Sequence, residues 1–599
     1  MNVITLDFET YYDTEHSLAH LSAVQYVHSP LFKVWGVGIK INNEPTEWFG
    51  AEECADAIAQ IQWAEAAVVC HNTLFDAYIL TQYYKVYPKY YYDTAAMARG
   101  LAPNESSSLK NTCERMFPND KTMRKGDELV NAKGIFDLPP DVEEQIAGYC
   151  IQDVDLTYAL YNVMQPNYPQ SELDLIDLTC RMYVEPKIFL NRTLLQAHKD
   201  DIATNTAQLI DASGLTRAQL ASQKQFAEYL ESLNITVPTK KSQRTGLMIP
   251  AFSKTDKAYT QMCAMYPQYK HIWDAREAVN SLIEETRAQR LLDGCNPDGT
   301  LSVPLRYYAA HTGRFGGTEK INLQNLPRGS KLRSAIQAGP EEILYIADLS
   351  NIEARMLAWL AKEQDLLDSF AAGEDVYSNF ASQIYNRPIT KEDKLERYVG
   401  KTAILGLGYG MGANKYQAIL AQGSPAIDVT QNTALGIVAQ YRAMYPNIPQ
   451  LWSIGKQLLF YMLDRTEQSY SYGPLSVASN ALKLPNGMYL QYPHLRYNNG
   501  EFLYDSGRNG ITRTHGPRLV ENIVQALARI VITDQMLAIQ KIPGISVVLT
   551  VHDEIIALGS DKNADETLAT IMAIMKQPPT WCTELPLDAE GAYSKIYNK

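Results

Sequence analysis

The sequence predicts a multidomain α/β protein organised around two acidic sites, and three observations lead there. At 599 residues the chain is too long for one hydrophobic core, and roughly three to five domains are expected. Short apolar runs alternate with helical stretches over residues 1–165, whereas 171–295 is largely helical by pattern. Two distant apolar runs, Ile343–Asp348 and Val547–Glu554, each lead into carboxylates. Each reads as a buried strand with an acid at its exit. Burying an acid there is costly without a positive partner. Two such acids brought together repel, so a divalent cation is their natural partner. For either run alone, a strand end meeting solvent is the other reading.

In chain order, 3–6, 34–39 and 67–70 read as strands and 141–163 as a helix, giving an α/β domain. Gln165–Pro169, with two prolines, reads as a linker. Within the helical 171–295, the segment 237–257 carries Pro238, Gly246 and Pro250 and reads as a loop or tip. Residues 296–360 return to strand-like runs, and 361–465 are helical. Residues 466–515, rich in Gly, Pro, Asn and Tyr, suggest turns and short strands. A helix over about 517–540, a strand to 552, then a helix and a tail complete the chain.

Composition narrows the class. The chain is 46% apolar and 20% charged, an ordinary globular balance. Eight cysteines lie scattered without a CxxC pair, which favours a reducing compartment and disfavours a zinc ribbon or disulfide framework. MNVITLDFET lacks a basic segment followed by an apolar one, so no signal peptide is read. No run of about eighteen apolar residues calls for a membrane. The net charge of −13 counts against nucleic-acid binding taken whole, but charge is local. Residues 235–260 hold Lys240, Lys241, Arg244, Lys254 and Lys257 against Asp256 alone. Residues 386–415 hold six Lys/Arg against three acids. A solvated face is the plain alternative for both clusters.

Leu6-Asp7-Phe8-Glu9-Thr10 ends an apolar strand, and its two acids, two residues apart, leave one face. Asn72-Thr73-Leu74-Phe75-Asp76 follows a second apolar run. Tyr149 and Asp153 share a helix face at i,i+4. Asp7, Glu9, Asp76 and Asp153 with Tyr149 would build a two-metal hydrolytic site in which Tyr149 orients the attacking water. In this order the three motifs resemble the DEDD-class 3′–5′ proofreading exonucleases, in the subtype with Tyr in the third motif. Asp93 and Asp155 fall outside the pattern and are expected at the surface or behind the site.

Further on, Asp348-Leu349-Ser350-Asn351-Ile352-Glu353-Ala354-Arg355 resembles motif A of the family A, or bacterial DNA polymerase I-like, enzymes. Val551-His552-Asp553-Glu554 resembles motif C. The run from Arg397 to Gly410, with Lys401, Leu405 and Tyr409, resembles motif B. Thr312-Gly313-Arg314-Phe315 and Asn322-Leu323-Gln324-Asn325-Leu326-Pro327 match the upstream signature. Independently of the family, Arg397, Lys401, Leu405 and Tyr409 recur every four residues and form one helical stripe. Thr390 is a candidate cap for that helix, and the glycines at 406, 408, 410 and 412 crowd its end. Two cations followed by an apolar and an aromatic group suit a nucleotide; an amphipathic helix with solvated bases is the alternative.

The resemblance implies an RNase H-like exonuclease domain at 1–165, followed by a right-hand polymerase. Its thumb would be 166–300 with a basic tip at 237–257. Palm parts would be 301–360 and 511–599. Fingers and an inserted segment would fill 361–510, with the motif B helix at about 391–410. It implies Asp348 and Asp553 as ligands of two Mg²⁺ ions, with Glu554 supportive and Mn²⁺ an alternative ion; two more ions would serve the exonuclease site. Lys401 would be a general acid. Arg397, Lys401, Leu405, Tyr409, Tyr377 and the deoxy-selecting Glu353 would bind the dNTP. Arg314, Gln525 and His552 would touch primer or template in the minor groove, and Lys240, Lys241 and Arg244 would grip phosphates. Leu405, Tyr377 and Glu521 depart from the family, which more often has an aromatic residue, His and Asn there. The chain starts directly at the proofreading motifs, as in bacteriophage replicative members, so work in a host cytoplasm on primer-template DNA is expected. No thumb insertion marks a helicase or processivity-factor site. A single-subunit RNA polymerase and an exonuclease with a DNA-binding C-terminal region are the rival readings.

Overall fold

Asn2–Thr10 is the middle strand of a five-stranded sheet ordered Glu47–Gly50, Val34–Ile41, Asn2–Thr10, Ala66–Cys70, Tyr90–Asp93. Its pairing is antiparallel to Val34–Ile41 and parallel to Ala66–Cys70. Ala66–Cys70 is buried on both faces, which is why it is a continuous apolar run. The helix Pro140–Met164 packs across the sheet. The structure is a computed structural model describing residues 1–599 apart from 127, 243–245, 254–255, 282, 424, 464–469, 508–509 and 599.

The helix Gln170–Val184 is shared between two cores. Leu173, Ile176 and Tyr183 join the N-terminal core, while Leu178 and Met182 join the main C-terminal one. Its apolar residues run nearly all round, so it is buried on two sides. Beyond it Arg192–Ser213 and Lys270–Asn280 pack together and carry a small separate core that includes Phe226, Leu230, Met262 and Trp273. At the far end Thr239–Lys241 and Met248–Pro250 pair as a hairpin, so the expected basic loop is in part a β-ribbon.

The second sheet is antiparallel and ordered Ser546–Val551, Glu554–Ser560, Glu342–Leu349, Ala589–Ser594. Sequence reading found two of these strands. Glu554–Ser560 was hidden because its apolar run follows the first after only His552 and Asp553, a turn without glycine. The strand-like reading of 296–360 is also corrected. Ile352–Ala361 is a helix whose residues are mostly buried, and burial erased its periodicity. Helices fill 364–463, and short strands follow between 471 and 514. The helix Gly516–Gln540 is, among the described residues, the one helix long and apolar enough to cross a membrane, but its apolar window is 78% buried in the protein. It is the axis of the main core.

Candidate active sites

The N-terminal site is built by close approach. Asp7 and Glu9 lie opposite Gly38 and Gly36 in the neighbouring strand. A Cβ on Gly38 would meet Cys150 Sγ at 2.9 Å and Val154 Cγ2 at 3.1 Å, so this glycine lets Pro140–Met164 settle over the acids. That helix brings Tyr149 and Asp153, both buried, to the strand. Asp76, 3% exposed on the helix Thr73–Tyr78, accepts a hydrogen bond from the Phe8 N–H at 3.0 Å. Asp93 is neither at the surface nor idle. It is buried, caps the helix Thr94–Leu101 through Ala95 N–H, and accepts from Asn72 N–H at 3.1 Å, holding Asn72 at φ +77°. Asp155 is exposed and pairs with Lys40.

Asp7 and Glu9 come together with Cys150, Asp76 acts on both acids, and Asp153 is linked to them through Lys125. Asp7, Glu9 and Cys150 bring ligand atoms within 4.8 Å of one another. Burial pushes the Asp7 carboxyl up to about 6, and burial with the neighbouring Asp7 pushes Glu9 and Asp76 well above the carboxylate range. Burial likewise raises Tyr149 and the Cys150 thiol. Asp153 Oδ1 is buried without a hydrogen-bond partner. Crowded, desolvated carboxylates and an orphaned oxygen fit a hard divalent cation. Sequence reasoning missed Lys125. Its ammonium pairs with Asp153 and lies 4.5 Å from the centre of the Tyr149 ring. No spacing rule tied this loop residue to the motifs.

The C-terminal site lies where the second sheet ends. Asp348 is opposite Glu554 in register, and Leu349 N–H donates to the Asp553 carbonyl at 3.0 Å. His552, at φ +57°, turns the chain so that Asp553 comes to Asp348. Burial and the charge of Asp348 raise Asp553. This pair, half-buried at a strand exit and a tight turn, also suits a divalent ion. Arg328 reaches Asp348 at 3.7 Å. Glu554 is held elsewhere: 2% exposed, it accepts from the Tyr597 hydroxyl and faces Arg333 at 3.8 Å.

The helix carrying Arg397, Lys401 and Leu405 is Lys394–Leu407, shorter than expected at both ends. Asp393 accepts from Thr390 N–H and Oγ1 at 2.9 and 3.2 Å, closing a turn that delays the helix, so Thr390 is not its cap. Gly410, at φ +78°, lies beyond its end, and Tyr409 falls in the turn outside the stripe. Val399, Ala403, Ile404 and Leu407 are buried, leaving Lys401 and Leu405 exposed and Arg397 partly so. Arg397 makes a two-pronged pair with Asp375, at 2.6 and 3.1 Å. Burial would raise Asp375, but its bonds from Arg397 and Ser378 hold it below the usual range. Tyr377 packs beneath Arg397, and its hydroxyl donates to Asn351 at 2.7 Å. Arg314 pairs with Glu353 and senses Asp553 electrostatically. Gln525 donates to Glu521 at 3.4 Å, and His552 is exposed. Lys240 pairs with Asp256 at 2.8 Å and Lys241 is exposed; Arg244 lies outside the described residues.

Two carboxylates at a sheet end, beside an exposed Arg/Lys helix face and a second acidic cluster on a mixed sheet, define a nucleotidyl-transfer enzyme with an attached nuclease. The comparisons agree. Residues 190–457 match the model of DNA polymerase family A, and 57–168 match that of a 3′–5′ exonuclease. The chain is 23% identical to the DNA polymerase of Bacillus phage SP02 over the full length of both. It is 23% identical to DNA polymerase I of Geobacillus stearothermophilus, matching 54% of this chain and 37% of that one, and 30% identical to DNA polymerase I of Mycobacterium leprae over 41% and 28%. The chain thus spans well under half of those bacterial relatives. The polymerase domain of Pol1 from M. smegmatis, solved in complex with DNA primer-template and dNTP, superposes with TM-score 0.70 at 18% identity, covering 100% of this chain and 95% of that one. Residues 190–457 thus carry a family A DNA polymerase region and 57–168 a 3′–5′ exonuclease region, the make-up of a DNA-directed DNA polymerase with an exonuclease domain. The polymerase match stops before Val551–Glu554; the sheet register sets Asp553 and Glu554 next to Asp348 and Leu349.

Proposed function

We propose that this enzyme extends a primer from dNTPs at Asp348 and Asp553 and trims the same primer end at Asp7, Glu9, Asp76, Tyr149 and Asp153, as part of viral DNA replication in a host cytoplasm. The observation that carries the polymerase half is the joining of Asp348 and Asp553 at one sheet end, with Arg314 and Tyr377 close enough to interact with Asp553. Mg²⁺ held by these two acids would supply the Lewis acidity that activates a primer hydroxyl and neutralises a triphosphate, and Mg²⁺ at the N-terminal acids would do the same for water and a leaving oxygen.

The chain's own residues do the remainder. Arg397 and Lys401 on their exposed helix face bind the triphosphate, with Lys401 available to protonate the leaving pyrophosphate. Leu405 and Tyr409 border the sugar and base. Tyr377 works by packing, since its hydroxyl is engaged by Asn351. Glu353 closes the space of a ribose 2′-hydroxyl and is fixed there by Arg314. Gln525 and His552 read pair shape in the minor groove. Glu554 positions the strand rather than binding an ion directly, because Tyr597 and Arg333 already engage it. Lys240, Lys241 and Arg244 contact backbone phosphates, with Lys240 exchanging Asp256 for DNA.

Extension and degradation of one labelled primer-template test this reading. Asp348→Ala should lower extension on the order of 10³-fold and leave degradation. Asp7→Ala should do the converse. Loss of both activities in either folded variant would contradict two separate sites.

A further inference from the structure

The exonuclease cluster holds a cation of its own. Lys125 comes from the loop between the helix Leu109–Met116 and residue 128, and places its ammonium on Asp153 and over the Tyr149 ring. The loop is pinned to the protein: Gln152 donates to the Thr122 carbonyl at 3.0 Å, and Arg124 donates to the Phe117 and Met123 carbonyls at 3.0 and 2.9 Å. The lysine side chain keeps 25% of its surface in solvent, against 6% for Asp153. It therefore has an exit that the acid lacks.

Asp7, Glu9 and Asp76 act on one another electrostatically, Asp153 joins them through Lys125, and anions in a buried site need a counter-charge. Lys125 is that counter-charge, acting on Asp7 and Glu9 as well as Asp153. The ammonium sits on Asp153 Oδ2, next to the unpartnered Oδ1 that a metal ion would take, and two cations on one carboxylate repel each other. Lysine suits an exchangeable role, because its charge is compact and its four-carbon stem is flexible.

We propose that Lys125 is a placeholder cation: it neutralises the exonuclease acids while no metal is bound, and a divalent ion must displace it from Asp153 to load the site. The proposal rests on the reading of this cluster as a metal site. It makes the lysine a competitor of the metal as well as a prop for the empty site, two effects of opposite sign that ordinary packing would not produce together.

The test uses the full chain carrying Asp348→Asn and Asp553→Asn, so that ions report on the N-terminal cluster. Mn²⁺ binding is followed by calorimetry and thermal unfolding by dichroism, with and without EDTA. Lys125→Met should unfold several degrees lower than the parent in EDTA, lose that deficit in saturating Mn²⁺, and bind Mn²⁺ roughly tenfold more tightly, the equivalent of one charge-assisted hydrogen bond removed from the competing state. Lys125→Arg should retain the metal-free midpoint. Weaker or unchanged Mn²⁺ affinity in Lys125→Met, or a stability deficit that Mn²⁺ does not repair, overturns the placeholder. Adding Asp7→Asn separates the underlying reading. If that change leaves Mn²⁺ binding intact, the cluster is not the metal site, and both ideas fall.

Discussion

Glu353 illustrates how one side chain acquires a task from its neighbours. An acid in the first turn of a helix is ordinary, stabilised by the helix dipole. Here Arg314, from a segment before the strand Glu342–Leu349, pairs with it, and the charge of Asp553 acts on that same arginine. Glu353→Ala should relax the choice between dNTP and NTP by roughly 10- to 200-fold, the range for filling or emptying a small steric space. Single-nucleotide incorporation with dNTP and NTP in competition measures it, and an unchanged ratio would remove Glu353 from sugar selection. Residues at fixed short spacings were legible in the sequence: Asp7 with Glu9, Tyr149 with Asp153, Asp348 with Glu353. Lys125 and Cys150 were not. Lys125 owes its role to a loop folding back on the helix Pro140–Met164, and Cys150 looked like any buried thiol until Gly38 let its helix close on Asp7.

The decisive element is the helix Lys394–Leu407, whose exposed face carries the cations and whose other face packs on Val376–Tyr385. Gly400 permits that packing. A Cβ there would run into the Tyr377 carbonyl and approach Ala381 Cβ at 3.0 Å. Gly400→Ala should cost about 1–3 kcal/mol by overpacking. It should also raise KM for dNTPs, because Arg397 and Lys401 move with the helix; steady-state extension and thermal unfolding together check it. The stripe was readable because a four-residue repeat survives on any helix with one wet face. Its ends were not, since a side-chain turn at Thr390–Asp393 and a left-handed Gly410 decide them. Likewise Ile352–Ala361 hid its helical character by being buried nearly all round.

At the scale of the molecule, one buried ion pair joins the two halves. Glu172 receives both prongs of Arg529, the Tyr307 hydroxyl at 2.6 Å and the Asn486 amide at 2.7 Å, linking the helices Gln170–Val184 and Gly516–Gln540 to two intervening segments. Burial would raise the Glu172 carboxyl, but Arg529 and the other donors hold it below 4.5. A depressed folded value means stability that is present above 4.5 and lost as pH falls through the folded value. Glu172→Gln should therefore cost about 3–5 kcal/mol at pH 7, leaving Arg529 buried without its anion. Its deficit relative to wild type should shrink as pH drops below 4.5. A pH-independent deficit in thermal midpoint would contradict this.

The chain between 466 and 515 adds a second tie. Gln491 donates to the Leu101 carbonyl at 2.5 Å, and Gly507 sits so tightly on Asn104 that any Cβ would strike its carbonyl. On the proposed reading, the growing primer is served by two workshops tied to one bench. With these ties holding the halves together, the newest nucleotides would have to peel from their template to pass from one site to the other. Editing should then be paced by fraying: each base-pair step opened costs about 1.4 kcal/mol, so one extra paired step should slow removal about tenfold. Single-turnover degradation of primers ending in progressively longer mismatches would measure that gradient, and a flat profile would mean that something other than melting sets the tempo.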